Sequence, residues 1–207
     1  MSIDELLEYN GLSLELLNSF SYQSQLGMSL KRTLSHFDKE QLLNEIFGYA
    51  DWLDTLEISS KVSLDFRVKA YESIANKYER HYPNTPVAKT FNDILGFRAF
   101  CDNYEEIISS TSQLFKVIDM SHGKANDDGY RGVHLYFQID NNHYPIEVQF
   151  NTLFDRQINN WLHDYLYKKG YPLEYGQRLR CEYEQGRIRT EKDFTEVLYN
   201  DLLGRQE

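Results

Sequence analysis

The sequence has few cysteines, no long apolar run and fewer basic than acidic residues, and each shortage excludes a class of protein. Only two cysteines occur among the 207 residues, Cys101 and Cys181. Their wide separation excludes a disulfide scaffold and offers no zinc-binding spacing. No stretch approaches the roughly 18 apolar residues of a membrane helix, and the acidic start is unlike a signal peptide. We therefore expect a cytoplasmic globular protein with no membrane partner.

The charge balance argues against nonspecific coating of nucleic acid. The chain has 22 Lys and Arg against 32 Asp and Glu, a net charge of −10, whereas backbone binding depends on phosphate neutralisation by many cations. Local basic clusters occur nonetheless, at Lys31-Arg32, Lys168-Lys169, Arg178 with Arg180, and Arg187 with Arg189. Each cluster is either solvated surface or part of a patch for an anionic partner.

The hydrophobic pattern predicts an α+β fold, a mixed β-sheet flanked by helices. With 41% hydrophobic residues the chain is able to bury a core. The pattern predicts helices over the first sixty residues, with one at Leu30–Trp52, and later helices at Tyr71–Tyr82, Tyr104–Leu114 and from Phe154 onward. It predicts strands at Val62–Lys69, Asp93–Phe100 and Phe115–Met120, followed by a hairpin.

Three parts follow from this pattern. Residues 1–60 are predicted to be a helical segment packed on the core, residues 61–169 the central domain, and residues 170–207 a C-terminal helical segment. The polar stretch Ser121–Gly129 between the last single strand and the hairpin has the composition of a mobile loop.

The hairpin, Val133–Ile139 and Tyr144–Phe150, has one apolar face and one polar face. Antiparallel pairing across the turn Asp140-Asn141-Asn142, whose residues tolerate positive φ, places four side chains on the polar face. These are His134, Tyr136, Glu147 and Gln149. The face is either an ordinary solvated surface or a site for metal or acid/base chemistry.

Two strand carboxylates and a basic series indicate a site for Mg²⁺ and phosphates. Asp93 and Glu147 suit Mg²⁺, which binds a few carboxylates and completes its octahedron with water and substrate phosphates. Arg67, Lys69 and Lys77 suit those phosphates. Ser73 and Lys77 are four residues apart and share one helical face, so both are able to contact one anion.

Four ordered motifs resemble the RelA/SpoT synthetase domain of the small alarmone synthetases over about residues 60–168. They are Arg67-Val68-Lys69 with Ser73 and Lys77, Asp93-Ile94-Leu95-Gly96-Phe97-Arg98, Gly129-Tyr130-Arg131-Gly132-Val133-His134, and Ile146-Glu147-Val148-Gln149. The resemblance implies a nucleotidyltransferase-like fold and transfer of the β,γ-pyrophosphate of ATP to a 3′-hydroxyl, with Mg²⁺ as cofactor.

The resemblance also implies a role for each matching residue. The implied catalytic residues are Asp93, Glu147 and Tyr130, the first two of which would also bind the metal. The implied ATP contacts are Arg67, which would stack on adenine, and Lys69, Ser73, Lys77 and Arg98. The implied acceptor contacts are Tyr130, which would stack on the base, and Arg131, His134, Gln149 and His163.

The sequence departs from the family pattern around the acceptor. Gly132 and Asn151 stand where synthetases of guanosine alarmones usually have Ser and Arg. The Pro-Lys pair ahead of the loop is not plainly present, and Lys124 is the residue that stands in for its lysine. The chain therefore looks more like the toxic small alarmone synthetases of toxin–antitoxin pairs, some of which modify the 3′-terminal adenosine of tRNA and stop aminoacylation. This resemblance implies an antitoxin partner.

The leading hypothesis is thus pyrophosphate transfer to the tRNA 3′ end. The expected tRNA contacts are Lys31, Arg32, Lys168, Lys169, Arg178 and Arg180. Two alternatives remain open. One is synthesis of (p)ppGpp from GDP or GTP, or of the corresponding adenine alarmone, and the other is a regulatory module with a vestigial nucleotide site.

Overall fold

The computed structural model describes residues 2–110 and 112–204, of which residues 201–203 are described as backbone alone. Residues 205–207 of the predicted C-terminal segment and Thr111 of the predicted helix Tyr104–Leu114 lie outside the described residues. The helices are α1 (Ile3–Tyr9), α2 (Leu14–Ser19), α3 (Lys39–Thr55), α4 (Ile58–Lys61), α5 (Tyr71–His81), α6 (Val87–Thr90), α7 (Glu105–Ser109), α8 (Leu153–Trp161), α9 (Glu174–Glu184) and α10 (Glu191–Glu196). A 3₁₀ segment occupies Leu34–His36, and π-helical segments occupy Leu162–Tyr167 and Val197–Leu203.

Five strands form one mixed sheet in the order β1-β2-β5-β4-β3. They are β1 (Asp65–Val68), β2 (Leu95–Phe100), β3 (Phe115–Asp119), β4 (Val133–Phe137) and β5 (Ile146–Asn151). The pairing of β1 with β2 is antiparallel. In contrast, β2 and β5 run in the same direction, because Gly96 lies beside Glu147 and Cys101 bonds to the Asn151 carbonyl. The predicted mixed sheet flanked by helices is therefore confirmed.

The chain divides into two compact units. The first comprises Met1–Ala99, Glu105–Ile118 and His134–Phe150, and the second comprises Phe100–Tyr104, Asp119–Val133 and Asn151–Glu207. The division predicted from the sequence, at residues 60 and 169, stays a prediction. In the described ranges 2–110 and 112–204, no helix is long and apolar enough to cross a membrane.

Helices α1, α2 and α3 each begin at a polar cap. Ser2 forms a reciprocal capping box with Glu5, and the Asp38 carboxylate accepts a hydrogen bond from the Gln41 amide. Such a cap satisfies amides that have no partner inside the helix. Because Asp38 caps it, α3 begins at Lys39 rather than at Leu30 as predicted, and a turn precedes it.

The hairpin strands alternate as predicted but are shorter. Leu135, Phe137, Ile146 and Val148 are completely buried, so the apolar face is core. The second strand begins at Ile146 rather than at Tyr144, because the Tyr144 amide bonds to the Tyr22 carbonyl instead of to the hairpin partner.

Packing within the second unit depends on the helical segments from α8 onward. Its buried cluster includes Ile158, Leu162, Leu166, Leu179 and Phe194. The predicted core stripe of the helix after the hairpin is therefore present in its central part, although Phe154 at its start is half exposed.

Candidate active site

Asp93, two residues before the start of β2, accepts hydrogen bonds from two lysines. Lys69 Nζ lies 2.6 Å from Asp93 Oδ2, and Lys77 Nζ lies 2.8 Å from Asp93 Oδ1. Lys69 follows β1 and its amide bonds to the Ile94 carbonyl, which extends the β1–β2 pairing and brings Lys69 beside Asp93. Lys77 reaches the carboxylate from the second turn of α5. The motif with Lys69 and Lys77 and the motif that begins at Asp93 thus form one cluster within the first unit.

The pKa values of Asp93 and Lys69 are both lower than usual, for different reasons. Burial alone would raise the pKa of Asp93, but the charges and hydrogen bonds of Lys77 and Lys69 outweigh it and hold that pKa below its usual value. For Lys69, burial lowers the pKa, and the nearby Lys77 and Arg67 add to this effect against the attraction of Asp93. Both directions follow from packing two cations around one carboxylate with little water.

The other predicted ATP contacts lie on the same elements. Arg67 is exposed on β1, where its register partner on β2 is Gly96. Ser73 is exposed on α5, one turn before the half-buried Lys77, as the spacing predicted. Arg98 on β2 forms an ion pair with Asp65 on β1, with 3.0 Å between Nη1 and Oδ2.

Glu147 is the centre of the polar face of the hairpin. Its Oε1 lies 3.0 Å from His134 Nδ1 and accepts a 2.9 Å hydrogen bond from the Tyr136 hydroxyl. Its Oε2 accepts a 2.7 Å hydrogen bond from Gln149 Nε2. The prediction that these four side chains share one face is therefore confirmed, and the face is a hydrogen-bonded cluster rather than a row of solvated side chains.

The Glu147 carboxylate is buried yet favours the ionised form. Burial alone would raise the pKa of Glu147. The hydrogen bond and charge of His134 outweigh burial, so that this pKa lies below its usual value. Asp93 acts against this with its own negative charge. The two carboxylates thus influence each other electrostatically, as expected of acids in one site.

A glycine on β2 leaves room for Glu147. A Cβ atom at Gly96 would lie 3.3 Å from Glu147 Oε2. A side chain there would press on the carboxylate, so the glycine leaves the space that Glu147 occupies.

Hydrogen bonds and an ion pair hold the loop before β4, which lies in the second unit. The Asp127 carboxylate accepts hydrogen bonds from both Nη atoms of Arg131, at 2.7 and 2.8 Å. The Asp128 carbonyl accepts a hydrogen bond from the Tyr167 hydroxyl at 2.7 Å, and Lys124 forms an ion pair with the Asp128 carboxylate. These contacts join the loop to itself and to the segment Leu162–Tyr167, and the mobility expected from its composition stays a prediction.

Close packing fixes the end of this loop. Gly129 has φ +87°, and a Cβ atom on it would collide with the Gly176 carbonyl of α9. Two glycines are needed here, because the loop and the helix backbone approach too closely for side chains.

Tyr130, the predicted base-stacking residue, is half-buried at the end of the loop. The Lys124 ammonium lies 5.0 Å from the centroid of the Tyr130 ring, within the range of cation–π interactions. Its amide donates to the Asp128 carboxylate at 3.2 Å. Lys124 therefore lies next to the predicted stacking residue, where the sequence comparison suggested that it substitutes for a family lysine.

Arg131 and Asn151 stabilise the loop from within. Two asparagine amides, from Asn151 and Asn159, donate to the Arg131 carbonyl at 2.8 and 2.7 Å. Asn151, which departs from the family pattern, thus makes a structural contact with the loop. The Arg131 guanidinium is occupied by Asp127, and its contact with an acceptor stays a prediction.

Arg180 is buried. The prediction that it contacts tRNA is therefore wrong. Its side chain is completely buried, and it donates to Asp155 Oδ1 at 2.6 Å, to the Gly129 carbonyl at 2.8 Å and to Asn159 Oδ1 at 3.0 Å. A guanidinium buried among these acceptors cannot reach a phosphate. Its spacing from Arg178 resembled a surface cluster because its partners are distant in sequence.

The remaining predicted contacts are at the surface. Within the first unit Lys31 and Arg32 are exposed, and within the second unit Lys168, Lys169 and Arg178 are exposed. Lys168 is paired with Asp164, with 2.8 Å between Nζ and Oδ1. Half-exposed His163 lies 3.2 Å from the same carboxylate oxygen.

Sequence reasoning missed Asn92 and the Asp155–Asn159 pair. Asn92 Oδ1 accepts a hydrogen bond from Lys77 at 3.3 Å, and its position directly before Asp93 was an available signal. Asp155 and Asn159 are one turn apart on α8, a spacing that offers two acceptors to one buried cation.

The donor set fits a magnesium ion. Among the described residues no group of three acidic, His or Cys side chains could hold a metal, but Mg²⁺ in phosphate-transfer sites needs only one or two carboxylates besides water and phosphate oxygens. Each oxygen of Asp93 accepts one lysine hydrogen bond, and a carboxylate has about four lone-pair sites. Asp93 and Glu147 therefore retain the capacity to bind Mg²⁺.

Comparison with known proteins agrees with these motifs. Residues 66–171, more than half of the chain, match the family model described as "Region found in RelA / SpoT proteins". None of the curated proteins matches the chain.

Solved structures that resemble the chain include two from Bacillus subtilis. Small alarmone synthetase 1, bound to its product pppGpp, has 21% identity to this chain and a TM-score of 0.42. The match covers 81% of this chain and 94% of the synthetase chain. Small alarmone synthetase 2 has 21% identity and a TM-score of 0.43, covering 79% and 96%.

A GTP pyrophosphokinase family protein from Streptococcus pneumoniae has 20% identity and a TM-score of 0.39, covering 80% and 93%. At these TM-scores the likenesses support no statement about activity. The match over residues 66–171 is sufficient by itself, and the chain belongs to the family of proteins that contain the RelA/SpoT region.

Proposed function

We propose that this protein transfers the β,γ-pyrophosphate of ATP to a 3′-hydroxyl, most simply that of the tRNA 3′-terminal adenosine. The observation that carries the transfer is the presence of two carboxylates on neighbouring elements, half-buried Asp93 before β2 with two lysines and buried Glu147 on β5 with His134. Pyrophosphate transfer needs charge neutralisation and alignment rather than covalent catalysis. The cluster supplies both kinds of group.

In this proposal each side chain has a defined task. Lys69 and Lys77 neutralise the phosphates of ATP, and Arg67 covers its base. Glu147, ionised because its pKa is low, accepts the proton of the attacking 3′-hydroxyl. The new bond joins the 3′-oxygen to the β-phosphorus as the bond to the α–β bridging oxygen breaks, so that AMP leaves. Mg²⁺ held by Asp93 and Glu147 would add positive charge at the phosphates.

The tRNA acceptor and a toxin role, with an antitoxin as partner, are supported by the departures of Gly132 and Asn151 from the pattern of guanosine alarmone synthetases. Tyr130, held by its loop, would stack on the terminal base, a contact that tolerates any base. Exposed Lys31, Arg32, Lys169 and Arg178 would contact acceptor-stem phosphates, which position an RNA without reading its sequence.

A small acceptor is the second candidate, favoured by the burial of Arg180 and the pairing of Lys168 with Asp164. Both reduce the cationic surface available to tRNA in a chain of net charge −10. GDP, GTP or an adenine nucleotide would need no such surface, and the product would be an alarmone.

One experiment separates the acceptors. The protein is incubated with Mg²⁺, γ-labelled ATP and one of GDP, GTP, an adenine nucleotide or bulk tRNA, and label is followed into each acceptor. Label in tRNA that blocks subsequent aminoacylation supports the first candidate. Label in a free nucleotide, with none in tRNA, replaces it by the second.

Neutralising the surface provides a matched test. Lys31→Gln with Arg32→Gln should weaken tRNA modification and make its loss with salt less steep, because fewer counterions are released. The control, Lys61→Gln with Lys192→Gln, removes the same charge from exposed positions elsewhere. Equal tRNA modification by both variants would argue against Lys31 and Arg32 as contacts.

A further inference from the structure

The backbone that leads into Tyr130 is held by side chains of the second unit. The carbonyl of Asp128 accepts a 2.7 Å hydrogen bond from the Tyr167 hydroxyl, and the carbonyl of Gly129 accepts a 2.8 Å hydrogen bond from Arg180 Nε. Both donors lie about forty or more residues further along the chain, in the helical part that follows α8. These side chains thus fix the two peptide groups that precede the predicted stacking residue.

The side chain of Asp128 also orients Tyr130. One oxygen of this carboxylate accepts a 3.2 Å hydrogen bond from the Tyr130 amide, and the other lies 2.6 Å from Lys124 Nζ. The same Lys124 ammonium is the cation beside the Tyr130 ring. Asp128 therefore holds both the backbone of Tyr130 and the cation next to its ring, and Tyr167 holds Asp128 through its carbonyl.

The bond from Tyr167 is made where the backbone has little room to move. A Cβ atom at Gly176 of α9 would lie only 1.8 Å from the Asp128 carbonyl oxygen, so the loop and the helix pack backbone to backbone. A carbonyl in such a place needs a donor, because water has poor access to it. Burial raises the pKa of the Tyr167 hydroxyl well above its usual value, and the charge of Asp128 adds to this, so the hydroxyl keeps its proton.

We propose that Tyr167 is a positioning residue of the acceptor site, whose hydroxyl holds the Asp128 carbonyl and thereby keeps the Tyr130 ring in the orientation that stacks on the acceptor base. The inference rests on the proposed function, in which Tyr130 contacts the acceptor. Tyr167 acts through Tyr130 and not on the reacting groups. Its loss should therefore affect the acceptor and leave the use of ATP unchanged.

Tyr167→Phe removes a single oxygen atom and keeps the ring. Its matched control is Tyr183→Phe, because Tyr183 is a buried tyrosine of the same unit whose hydroxyl also donates to a backbone carbonyl. That carbonyl belongs to Phe154 at the start of α8, 3.1 Å away. Each variant loses one hydrogen bond of the same kind, and the bond lost in Tyr167→Phe is the one to the loop.

The first measurement is steady-state transfer of labelled pyrophosphate to whichever of tRNA, GDP, GTP or an adenine nucleotide takes up label from the wild type. Tyr167→Phe should raise the acceptor KM about tenfold, with kcat and the KM for ATP within about twofold of wild type. Tyr183→Phe should leave all three constants within about twofold. Equal acceptor KM values in the two variants would show a merely structural hydroxyl and overturn the inference.

A double variant tests whether Tyr167 acts through Tyr130. Once the ring is removed by Tyr130→Ala, its orientation no longer matters, so adding Tyr167→Phe should not raise the acceptor KM further. Residues that act through one another are non-additive in this way. Two effects that multiply in the double variant would mean that Tyr167 acts independently of Tyr130, which contradicts the inference.

The hold on the loop is also measured without any reaction. Hydrogen exchange of the amides of residues 127–131, followed by mass spectrometry without substrates, should be about tenfold faster in Tyr167→Phe and unchanged in Tyr183→Phe. A wild type that transfers pyrophosphate to no acceptor contradicts the proposed function, while faster exchange in Tyr167→Phe alone retains its hold on the loop. Unchanged exchange in Tyr167→Phe overturns the inference even where the protein is active.

Discussion

The carboxylate of Glu147 lies 3.0 Å from His134 Nδ1 in a position that is almost closed to solvent. Tyr136 donates to the same oxygen and Gln149 to the other one. A buried carboxylate whose two oxygens both accept hydrogen bonds has a fixed orientation. Glu147 stays ionised because its pKa is lowered. In the proposed transfer, Glu147 would accept a proton and face a cation.

Conservative replacement of either site carboxylate should abolish activity. Glu147→Gln and Asp93→Asn each remove a negative charge that the transition state uses, and we expect at least about a hundredfold loss of kcat. The measurement is steady-state transfer of labelled pyrophosphate, with circular dichroism to confirm folding.

Glu72→Gln is the matched control, because Glu72 is exposed on α5. It should retain the wild-type rate. Transfer within tenfold of wild type by Glu147→Gln or Asp93→Asn would remove that residue from the reaction.

Acid should destabilise the protein through the same two carboxylates. The pKa values of Glu147 and Asp93 are below their usual values in the folded protein. Their stabilising contribution is complete above the unfolded values, about 4, and is lost as the pH falls through the lower folded values. Thermal unfolding followed from pH 7 downward should show Tm falling below about pH 4.

In Glu147→Gln this acid-dependent decrease of Tm should be smaller than in wild type, because one of the titrating groups is missing. Glu72→Gln should follow wild type. An identical pH dependence in Glu147→Gln and wild type would contradict the lowered pKa of Glu147.

Tyr130 is expected to bind the acceptor through its ring. Tyr130→Ala should raise the acceptor KM about 5- to 150-fold, which corresponds to about 1–3 kcal/mol for a base stacked on an aromatic ring. The KM for ATP should change little. Tyr130→Phe keeps the ring and should stay close to wild type, and an acceptor KM unchanged in Tyr130→Ala would mean that the ring only packs in its loop.

Arg178 and Arg180 should differ in their effects on stability although they are two residues apart. Arg180→Gln leaves Asp155 without its buried partner, and we expect the free energy of unfolding to fall by about 3–5 kcal/mol. Arg178→Gln, at an exposed position, should change it by less than about 0.5 kcal/mol. Urea denaturation measures both, and a stable Arg180→Gln variant would contradict the structural role.

The polar face of the hairpin could be predicted because strand alternation is local. Residues two apart in a strand share a face, so His134 with Tyr136, and Glu147 with Gln149, follow from spacing alone once the strands are paired. The Asp93 cluster was also accessible, because its lysines follow the first strand and lie on the next helix. Both clusters are assembled from elements that adjoin in the sheet or in the chain.

Arg180 and the loop before β4 could not be predicted because their partners are remote in sequence. The acceptors of Arg180 lie on α8 and at Gly129, and nothing within a few residues of Arg180 signals that they surround it. Likewise, the polar composition of the loop does not reveal that Asp127 pairs with Arg131 or that Tyr167 bonds to Asp128. Composition alone predicts solvent exposure for polar residues that the fold uses as internal contacts.

Transfer of pyrophosphate, rather than of a single phosphate, is tested most directly with ATP labelled either at the β- or at the γ-phosphorus. The preferred acceptor is incubated with each ATP and Mg²⁺, and the labelled product is isolated. We predict that both labels enter the acceptor in equal amounts, that AMP is released, and that Glu147→Gln gives neither product. Entry of the γ-label alone, with release of ADP, or release of label without any modified acceptor, would contradict the account.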